Sequence, residues 1–510
     1  MRPFTRIKKI KGKEYLYEIT PYQDPITGNW KQKTRYLGKN VDGAPVRKER
    51  QFQTGQVYDL GQFIPFYWAI HEYKVIEVLL SCISLEEAAL LIIVAINRLI
   101  LPCSPRHLRS WVTGTYLPKL IPGADSITGS LINLLQTLSN RSIINLFSRM
   151  FHNINDISDR RILMSGRITD YSAFEGGRGS GYLFKDLLEG DMGIRFFFDP
   201  DNRIITGCEI TGIKQNFLEE SLQIICSGRD PGSTLLPNWD YYSPVLIQNL
   251  VSTGFPFIIK PECNYKPVSD EILGWDEKEL TGNVRSYKWK GCNIREIFIN
   301  VGNIPVHGYI MHNPKKEQEI RYAFDKNLQN IRDIILQGDN FPDMTEDLIC
   351  DIAGFESDFF IYNRNKNLIE RNQDLVNREI RRLSRTCVLY QGEFTFEECF
   401  NLAEMRGKIE KEIFLLYREF IRDLSGHQTE RIKTGILFVC FFSVFLKKLI
   451  TNRLEQAIFE NIPSFDQLTA ELISIHIIKS YQPVMVPAKL SRRQKTILSF
   501  FGGIPPLNTN

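Results

Sequence analysis

The sequence predicts a mixed α+β protein built from more than one domain, and three observations support this fold class. The chain has 510 residues, and a domain typically takes about 100–200 residues. Its composition, 43% hydrophobic and 24% charged, excludes a disordered, collagen-like or coiled-coil chain. Short runs rich in β-branched and aromatic residues alternate with long stretches of helical periodicity.

Residues 1–50 predict a small basic β-meander. The runs "YLYEITPYQ" and "WKQKTRYLG" flank "DPITGN", which has the residues of a turn. The segment holds thirteen Lys and Arg against five Asp and Glu, a net +8 in a chain whose total is +4. Lys31, Lys33 and Arg35 alternate along the second run, so one face is cationic. Such a face suits contact with a polyanion, although a solvated basic surface is an equal alternative.

Residues 51–160 predict a helical domain. Ser84 and Glu87 have the spacing of a capping box before the apolar stretch "EEAALLIIVAINRL". Later stretches, such as "SLINLLQTLSNRSIINLFSRMF", continue the pattern. A bundle of this kind can bind DNA through a helix-turn-helix element, which periodicity alone does not identify.

Membrane spans and disulfides are not predicted. The apolar runs Ala88–Ile96 and Ile436–Leu446 are shorter than the ~20 residues that a membrane helix needs. The ten cysteines are scattered, with no Cys-x-x-Cys pair, so we expect reduced thiols in a cytosolic protein.

Residues 161–261 predict the first part of an α/β core. "RILMSGRITDYS" is strand-like, and "GIRFFFDPDNRIITGCEIT" is a hairpin around Asp199–Asn202. "NFLEESLQIICSG" predicts a helix, and residues 235–261 predict strand, turn, helix and strand. Three antiparallel strands followed by helix, strand, helix and strand give the order of an RNase-H-like fold. Many other α/β folds can be written in the same way.

The second half predicts an insertion and then helices. Residues 262–390 contain short strands and a charged helical stretch, which would interrupt the core. Residues 391–445 predict core helices that begin at a capping box, Thr395 and Glu398. A buried stripe is expected at Ile409, Ile413, Leu416 and Phe420. Residues 446–510 predict a helical C-terminal tail.

Two other patterns carry little chemistry. The stretch "GGRGSG" (176–181) lacks the flanking strand and helix that a phosphate-binding loop needs, so a flexible loop is the preferred interpretation. His307 and His312 are five residues apart on a strand-like stretch, so they point to opposite faces rather than to one metal.

The segment "NLAEMRGKIEKEIF" (401–414) is the most informative. Arg406 and Glu410 are four residues apart on one helix face, so the arginine can brace the carboxylate. An ordinary surface ion pair is the alternative. Taken with the order of the other motifs, the chain resembles the DDE-type insertion-sequence transposases of the group named after insertion sequence four. Arg406 and Glu410 match that group's Tyr, Arg, Glu, Lys signature, while Ala403 and Tyr417 occupy its Tyr and Lys positions.

Further stretches carry the resemblance along most of the chain. "KTRYLGK", "GYLFKD", "ITGIKQN", "YYSPVLIQNLVSTGFPFII" and "RRQKTILSFFG" are similar to family segments and follow the family's order. The resemblance implies three carboxylates around two Mg²⁺ or Mn²⁺ ions. Glu410 is the third, whereas Asn238 stands in the second position and Met164 or Ser165 in the first. Asp240 and Asp170 are the neighbouring carboxylates that could substitute.

The resemblance also implies a function. An active member would bind double-stranded DNA, as a homodimer, and would cleave it and transfer strands with Mg²⁺. Glu410 would be the metal ligand, Arg406, Lys31, Lys33 and Arg35 would contact DNA, and the protein would act at the nucleoid in a prokaryotic cytoplasm, away from membranes. With two carboxylates replaced, the alternative is a catalytically inactive DNA-binding relic on the same scaffold. An α/β protein unrelated to nucleic acid is the remaining alternative.

Overall fold

A computed structural model describes most of the chain. The described residues are 4–10, 13–23, 30–41, 44–46, 56–124, 130–155, 162–168, 192–212, 233–237, 244–261, 263, 265–275, 286–337, 359–363, 368–424, 429–456, 464–479, 483–485 and 490–504. They form two compact units. The first comprises Met1–Tyr58, Ile477–Val486 and Thr509, and the second comprises Asp59–His476, Pro487–Asn508 and Asn510.

The first unit contains a four-stranded antiparallel sheet in chain order. Its strands are β1 (Phe4–Ile10), β2 (Lys13–Gln23), β3 (Trp30–Val41) and β4 (Ala44–Val46). β2 and β3 are the two runs predicted on either side of the turn. Every side chain of the edge strand β1 is exposed.

A second small sheet departs from the prediction. Its order is β18-β17-β5, with β5 at Gln56–Asp59, β17 at His476–Lys479 and β18 at Pro483–Met485. β17 and β18 lie in the segment that was expected to be a helical tail, so that expectation is wrong for these residues. The partner of β17 is more than 400 residues away, and local periodicity carries no signal of such a pairing.

The second unit begins with helices, as predicted for residues 51–160, although β5 makes residues 56–59 of that segment a strand. They are α1 (Ile64–Glu72), α2 (Val75–Leu80), α3 (Leu85–Ile100), α4 (Leu108–Thr113), α5 (Leu117–Leu120), α6 (Leu131–Leu138) and α7 (Arg141–Ile154). The predicted capping box of α3 is confirmed. The Ser84 Oγ accepts from the Glu87 N–H at 3.3 Å, and the Glu87 carboxylate accepts from the Ser84 N–H at 3.0 Å.

A nine-stranded mixed sheet forms the centre of the second unit. Its order is β11-β12-β13-β16-β10-β9-β6-β7-β8. β6, β9 and β10 are mutually parallel, and every other neighbouring pair is antiparallel. The strands are β6 (Ile162–Ile168), β7 (Met192–Asp199), β8 (Ile204–Gly212), β9 (Thr234–Leu236), β10 (Phe257–Ile259), β11 (Ser286–Trp289), β12 (Cys292–Val301), β13 (Ile304–His312) and β16 (Arg385–Gln391). The mixed sheet with helices confirms the α+β class.

The predicted insertion is continuous with this sheet. Strands β11, β12 and β13, and all of β16 except its last residue, come from residues 262–390, and they extend the sheet beyond β10. The join is the antiparallel pair of β10 and β16, in which Ile258 lies opposite Tyr390. Within the inserted region, β14 (Phe360–Asn363) and β15 (Leu368–Arg371) form a separate hairpin.

Helices cover both faces of the sheet. On one face, α8 (Pro244–Ser252) and α9 (Lys266–Leu273) enclose an apolar cluster, and we call this the α8 face. Its strand residues include Leu235, Phe257, Ile259, Ile297, Ile299, Ile310, Cys387 and Leu389. On the opposite face, which we call the α12 face, lie α12 (Phe396–Asp423) and α13 (Glu430–Glu455). Phe196 of β7 stacks on Phe441 there, and Tyr309 of β13 meets Phe396 edge-on.

The remaining described helices are α10 (Pro314–Gln337), α11 (Gln373–Ser384), α14 (Phe465–Leu472) and α15 (Arg492–Phe500). α10 and α11 pack on each other through Leu328, Val376 and Ile380.

Helix α13 is apolar because it belongs to the core. Among the described helices it alone is long and apolar enough by itself to cross a membrane, and α3 with Pro105–Thr113 passes the same test only as a pair bent by 113°. However, 78% of its most apolar window is buried inside the protein. Phe438, Phe442 and Phe445 meet Phe147 of α7 edge-on. This burial is typical of the core helix of a soluble protein.

Candidate functional site

Helix α12 carries the Arg406 and Glu410 of the motif. The helix starts at the predicted capping box, in which the Thr395 Oγ1 accepts from the Glu398 N–H at 3.2 Å. Of the predicted stripe, Ile409, Ile413 and Phe420 are buried and Leu416 is half-buried. The helix packs against β6, β10 and β16. The buried side of α12 therefore faces the strands that join the core to the insertion.

Arg406 and Glu410 lie on this buried side. Glu410 is only 1% exposed, and its Oε2 lies 3.9 Å from Nη2 of Arg406, which is 9% exposed. The surface ion pair that the spacing also allowed is therefore excluded. A buried carboxylate needs compensation, because removing a charge from water is costly unless the charge is paired or hydrogen-bonded.

Two neighbouring positions on the same helix are apolar or neutral. Ala403 and Tyr417 are both buried, at 7% and 2% exposure. Burial raises the pKa of the Tyr417 phenol, and the nearby Cys440 adds to this effect, so Tyr417 stays neutral. The signature position that would hold a lysine is therefore filled here by a neutral group packed into the interior.

The strand register separates the two positions considered for the first carboxylate. Ser165 lies opposite Arg195 of β7, which lies opposite Glu209 of β8. Met164 lies in the next row, opposite Phe196 of β7 and Leu236 of β9. Since Phe196 packs on α13 and alternate rows belong to alternate faces, position 164 belongs to the row of the α12 face.

Arg195 and Glu209 form a buried ion pair in the other row. Arg195 is 1% exposed, and its Nη1 donates to the Glu209 carboxylate at 2.8 Å. Position 165 therefore lies in the same row as Glu209, whose charge is already neutralised by Arg195. Sequence reasoning did not single out this pair.

The other sequence-predicted site residues lie outside the described residues. These are Asn238 in the second position, the candidate substitutes Asp240 and Asp170, and the stretch at 176–181. The structure does describe the end of β9 at Leu236, two residues before Asn238.

The described residues do not fit a two-metal site. No three His, Cys, Asp or Glu side chains within the described ranges come together in a way that could hold an ion. Glu410 has a guanidinium beside it, and neither Met164 nor Ser165 supplies a carboxylate. Divalent Mg²⁺ prefers several oxygen ligands, chiefly carboxylates, water and phosphate. At the signature positions, the described residues thus supply one carboxylate, Glu410, which by itself is too few ligands for two Mg²⁺ or Mn²⁺ ions.

His307 and His312 are separated, as their spacing predicts. His307 is exposed and lies edge-on to Phe298, at 4.4 Å between ring centroids. His312 is hydrogen-bonded through Nε2 to the Glu317 carboxylate at 2.7 Å. Glu317 also accepts from Arg321 at 3.2 Å, and Arg385 lies 4.0 Å away. His312 therefore belongs to a charged network between β13 and α10, not to a pair with His307.

A groove of about 670 Å³ runs along another side of α12. Its walls come from α12, the end of α13 and the β7–β8 turn. The charged side chains are balanced, with Arg203, Lys290, Lys408 and Lys448 against Asp201, Glu398, Glu404 and Glu455. This balance favours neither an anionic nor a cationic ligand.

In the first unit, the three predicted DNA-contacting side chains of β3 are accessible. Lys31, Lys33 and Arg35 are all exposed, and Arg35 lies 3.9 Å from Glu18 on the neighbouring strand. Lys8 of β1 lies over the ring of Tyr17, at 5.2 Å from its centroid. The sheet thus presents cations to solvent.

Comparison with known proteins gives no family for the chain. No protein-family model matches the sequence, and no curated protein is detectably similar to it.

Proposed function

We propose that this protein binds double-stranded DNA on a scaffold of the DDE-transposase kind, and that its cleavage site is degenerate. The observation that carries the proposal is the position of buried Glu410, on a helix packed against β6 and β10. The resemblance implies that the third carboxylate is carried by a helix of the core.

The strand order supports the RNase-H-like part of the proposal. Three antiparallel strands, β6, β7 and β8, come first in the chain. β9 and β10 then add in parallel to the free side of β6. This is the sequence of parts that the resemblance implies. The strands β11 to β13 and β16 correspond to an insertion between the second and third carboxylate positions.

The side chains favour binding without cutting. Two-metal catalysis needs carboxylates that hold both ions about 3.5–4 Å apart. This chain has Met164, Ser165 and Asn238 where the first two carboxylates are expected, and a buried tyrosine at the lysine position. We therefore infer that the unmodified protein neither nicks DNA ends nor transfers strands with Mg²⁺ or Mn²⁺.

Restoring the carboxylates tests the proposal. Met164→Asp with Asn238→Asp returns carboxylates to the first two positions, of which position 164 lies in the row of the α12 face. Ser165→Asp with Asn238→Asp is the matched control, because it adds the same charges with one of them in the row of Arg195. We expect Mn²⁺ binding, measured by calorimetry, in the first double variant and much weaker binding in the second. Adding Glu410→Ala should abolish it.

Two outcomes would contradict the proposal. If the unmodified protein transfers strands, and Glu410→Ala abolishes that activity, the site is functional and Asp170 or Asp240 must supply the ligands. If the purified protein has no measurable affinity for duplex DNA at low salt, the DNA-binding function is wrong. Restored metal binding without strand transfer would agree with the proposal, because Ala403 and Tyr417 also depart from the signature.

A further inference from the structure

A group of cations gathers at the end of the sheet where the parallel strands finish. Lys260 directly follows Ile259, the last residue of β10. β16 runs antiparallel to β10, so its first residue, Arg385, lies at this same end. The last turn of α11, just before β16, carries Arg382.

The neighbouring strand brings a further lysine to this end. His312, the last residue of β13, lies opposite Arg385. α10 starts two residues later, and Lys316 is in its first turn. Three different elements therefore bring Lys260, Lys316 and Arg382 to one end of the sheet.

The side chains converge around Cys263. Its thiol donates to the Arg385 carbonyl oxygen at 3.4 Å. Burial raises the pKa of this thiol, while the charges of Lys260, Arg382 and Lys316 all oppose that rise. The strand register and the helix ends independently place these three residues at one end of the sheet.

The carboxylates nearby already have other hydrogen-bond or ion-pair partners. Glu317 accepts from His312 and Arg321, and Glu379 accepts from the Arg382 Nε at 2.9 Å. Glu404 lies 2.6 Å from Lys408. Within the described part of the chain, neither Lys260 nor Lys316 has a carboxylate within 4.0 Å. Lys260 and Lys316 are exposed and offer positive charge to solvent, whereas the charge of Arg382 is balanced by Glu379.

Like charges at this place repel one another. Partial desolvation by neighbouring protein atoms lowers the pKa of Lys260. The charges of Lys316 and Arg406 lower this pKa further, whereas Cys263 and Glu404 raise it. A helix N-terminus adds partial positive charge at Lys316, where acidic side chains would be more stable. An anion placed here would relieve both effects.

We propose that Lys260 and Lys316 contact the phosphate backbone of duplex DNA at the carboxyl end of β6, β9 and β10. This inference rests on the proposed function and names where the duplex lies on the second unit. The end of β9 at Leu236 is at the same end of the sheet, so the DNA backbone would pass beside the end of this strand. Lysine is a compact point charge that suits sequence-independent contact with phosphates.

The test is the salt dependence of binding to a short duplex by the full-length protein. The variants are Lys260→Gln, Lys316→Gln and the double variant. Each lost phosphate contact makes the slope of log affinity against log salt shallower by about 0.9. We therefore expect a change near 0.9 for each single variant and roughly twice that for the double variant. The control is Lys326→Gln, which removes an exposed lysine ten residues further along α10 and should leave the slope unchanged.

The outcomes separate this inference from the proposed function. If the duplex binds and the double variant has the slope of the unmodified protein, the surface is wrong and the function stands. If Lys326→Gln changes the slope as much as Lys316→Gln, the effect is general charge and the inference also fails. If no duplex binds to the unmodified protein, both are wrong. Circular dichroism of each variant would confirm that its fold is intact.

Discussion

Arg406 and Glu410 form a buried pair on α12, whereas Glu404 and Lys408 form an exposed pair on the same helix with the same spacing. The first pair is separated by 3.9 Å and its side chains are 11% and 1% exposed. The second is separated by 2.6 Å, and its side chains are 68% and 60% exposed for Lys408 and Glu404. The exposed pair on α12 is thus a control for the effect of burial on the motif pair.

The two pairs should differ in their contribution to stability. Arg406→Leu leaves Glu410 buried without its guanidinium, which should lower the free energy of unfolding by about 3–5 kcal/mol. Lys408→Leu removes a solvated partner and should cost about 0.5 kcal/mol or less. Urea denaturation of both variants measures the difference. Equal losses would show that the motif pair behaves as a surface pair and that its burial has no energetic consequence.

A second pair of variants examines how α6 and α13 approach each other. A Cβ at Gly435 would overlap the carbonyl oxygen of Leu135, so Gly435→Ala should destabilise the protein by about 3 kcal/mol. Gly407 on α12 has nothing within 4 Å of the same position. Gly407→Ala should therefore stabilise the protein by about 0.5–1 kcal/mol through the better helix propensity of alanine. Thermal unfolding gives both values, and destabilisation at both sites would contradict this packing.

The network at Glu317 predicts a dependence of stability on pH. Partial burial alone would raise the pKa of this carboxyl, but hydrogen bonds from His312 and Arg321 and the charges of His312 and Arg385 lower it below its ordinary value of 4.5. A carboxyl with a lowered pKa stabilises the folded state above its unfolded pKa. The stability that Glu317 contributes should therefore be lost as the pH falls below about 4.5.

Glu317→Gln is the variant that measures this contribution. Its free energy of unfolding should fall less steeply with acid between about pH 5 and pH 3 than that of the unmodified protein. Glu319→Gln is the control, because Glu319 is an exposed carboxylate on the same helix. Identical acid dependence of the Glu317→Gln variant and the unmodified protein would contradict the prediction.

The basic face of β3 gives a prediction about DNA. Changing Lys31, Lys33 and Arg35 to Gln removes three exposed cations. If all three contact phosphates, the salt slope for duplex binding should become shallower by about 2.7, at 0.9 per contact. Lys326→Gln again serves as the control for a general change in charge. An unchanged slope would mean that this face is only solvated.

Local chemistry in the sequence predicted the local parts of the fold. The β7–β8 hairpin follows from Asp199, whose carboxylate accepts from the N–H groups of Asp201 and Asn202 at 2.9 and 3.1 Å, as turn residues do. The capping boxes at Ser84 and Thr395 also need only four adjacent residues each. Such interactions are readable because all the participating atoms lie within one short stretch.

The parts that the sequence did not predict depend on distant residues. The pairing of β17 with β5 and the joining of β16 to β10 are set by tertiary packing. The cluster of Lys260, Lys316 and Arg382 was missed because its members are far apart in the chain and none belongs to a motif. The choice between Met164 and Ser165 needed the register of β6, since a shift of one residue exchanges the two faces.

The pairing of β10 with β16 also limits how the chain can be shortened. The inserted segment supplies the strand that closes this side of the core, and β16 leads within a few residues into α12. Excising residues 286–391 would leave β10 paired only with β9, so that its backbone N–H and C=O groups on the β16 side would form an open edge, which promotes aggregation. The excision would also remove the strand that precedes α12 and holds its first turn against the sheet. The inserted region is thus an integral part of the core sheet and cannot be deleted without exposing the edge of β10.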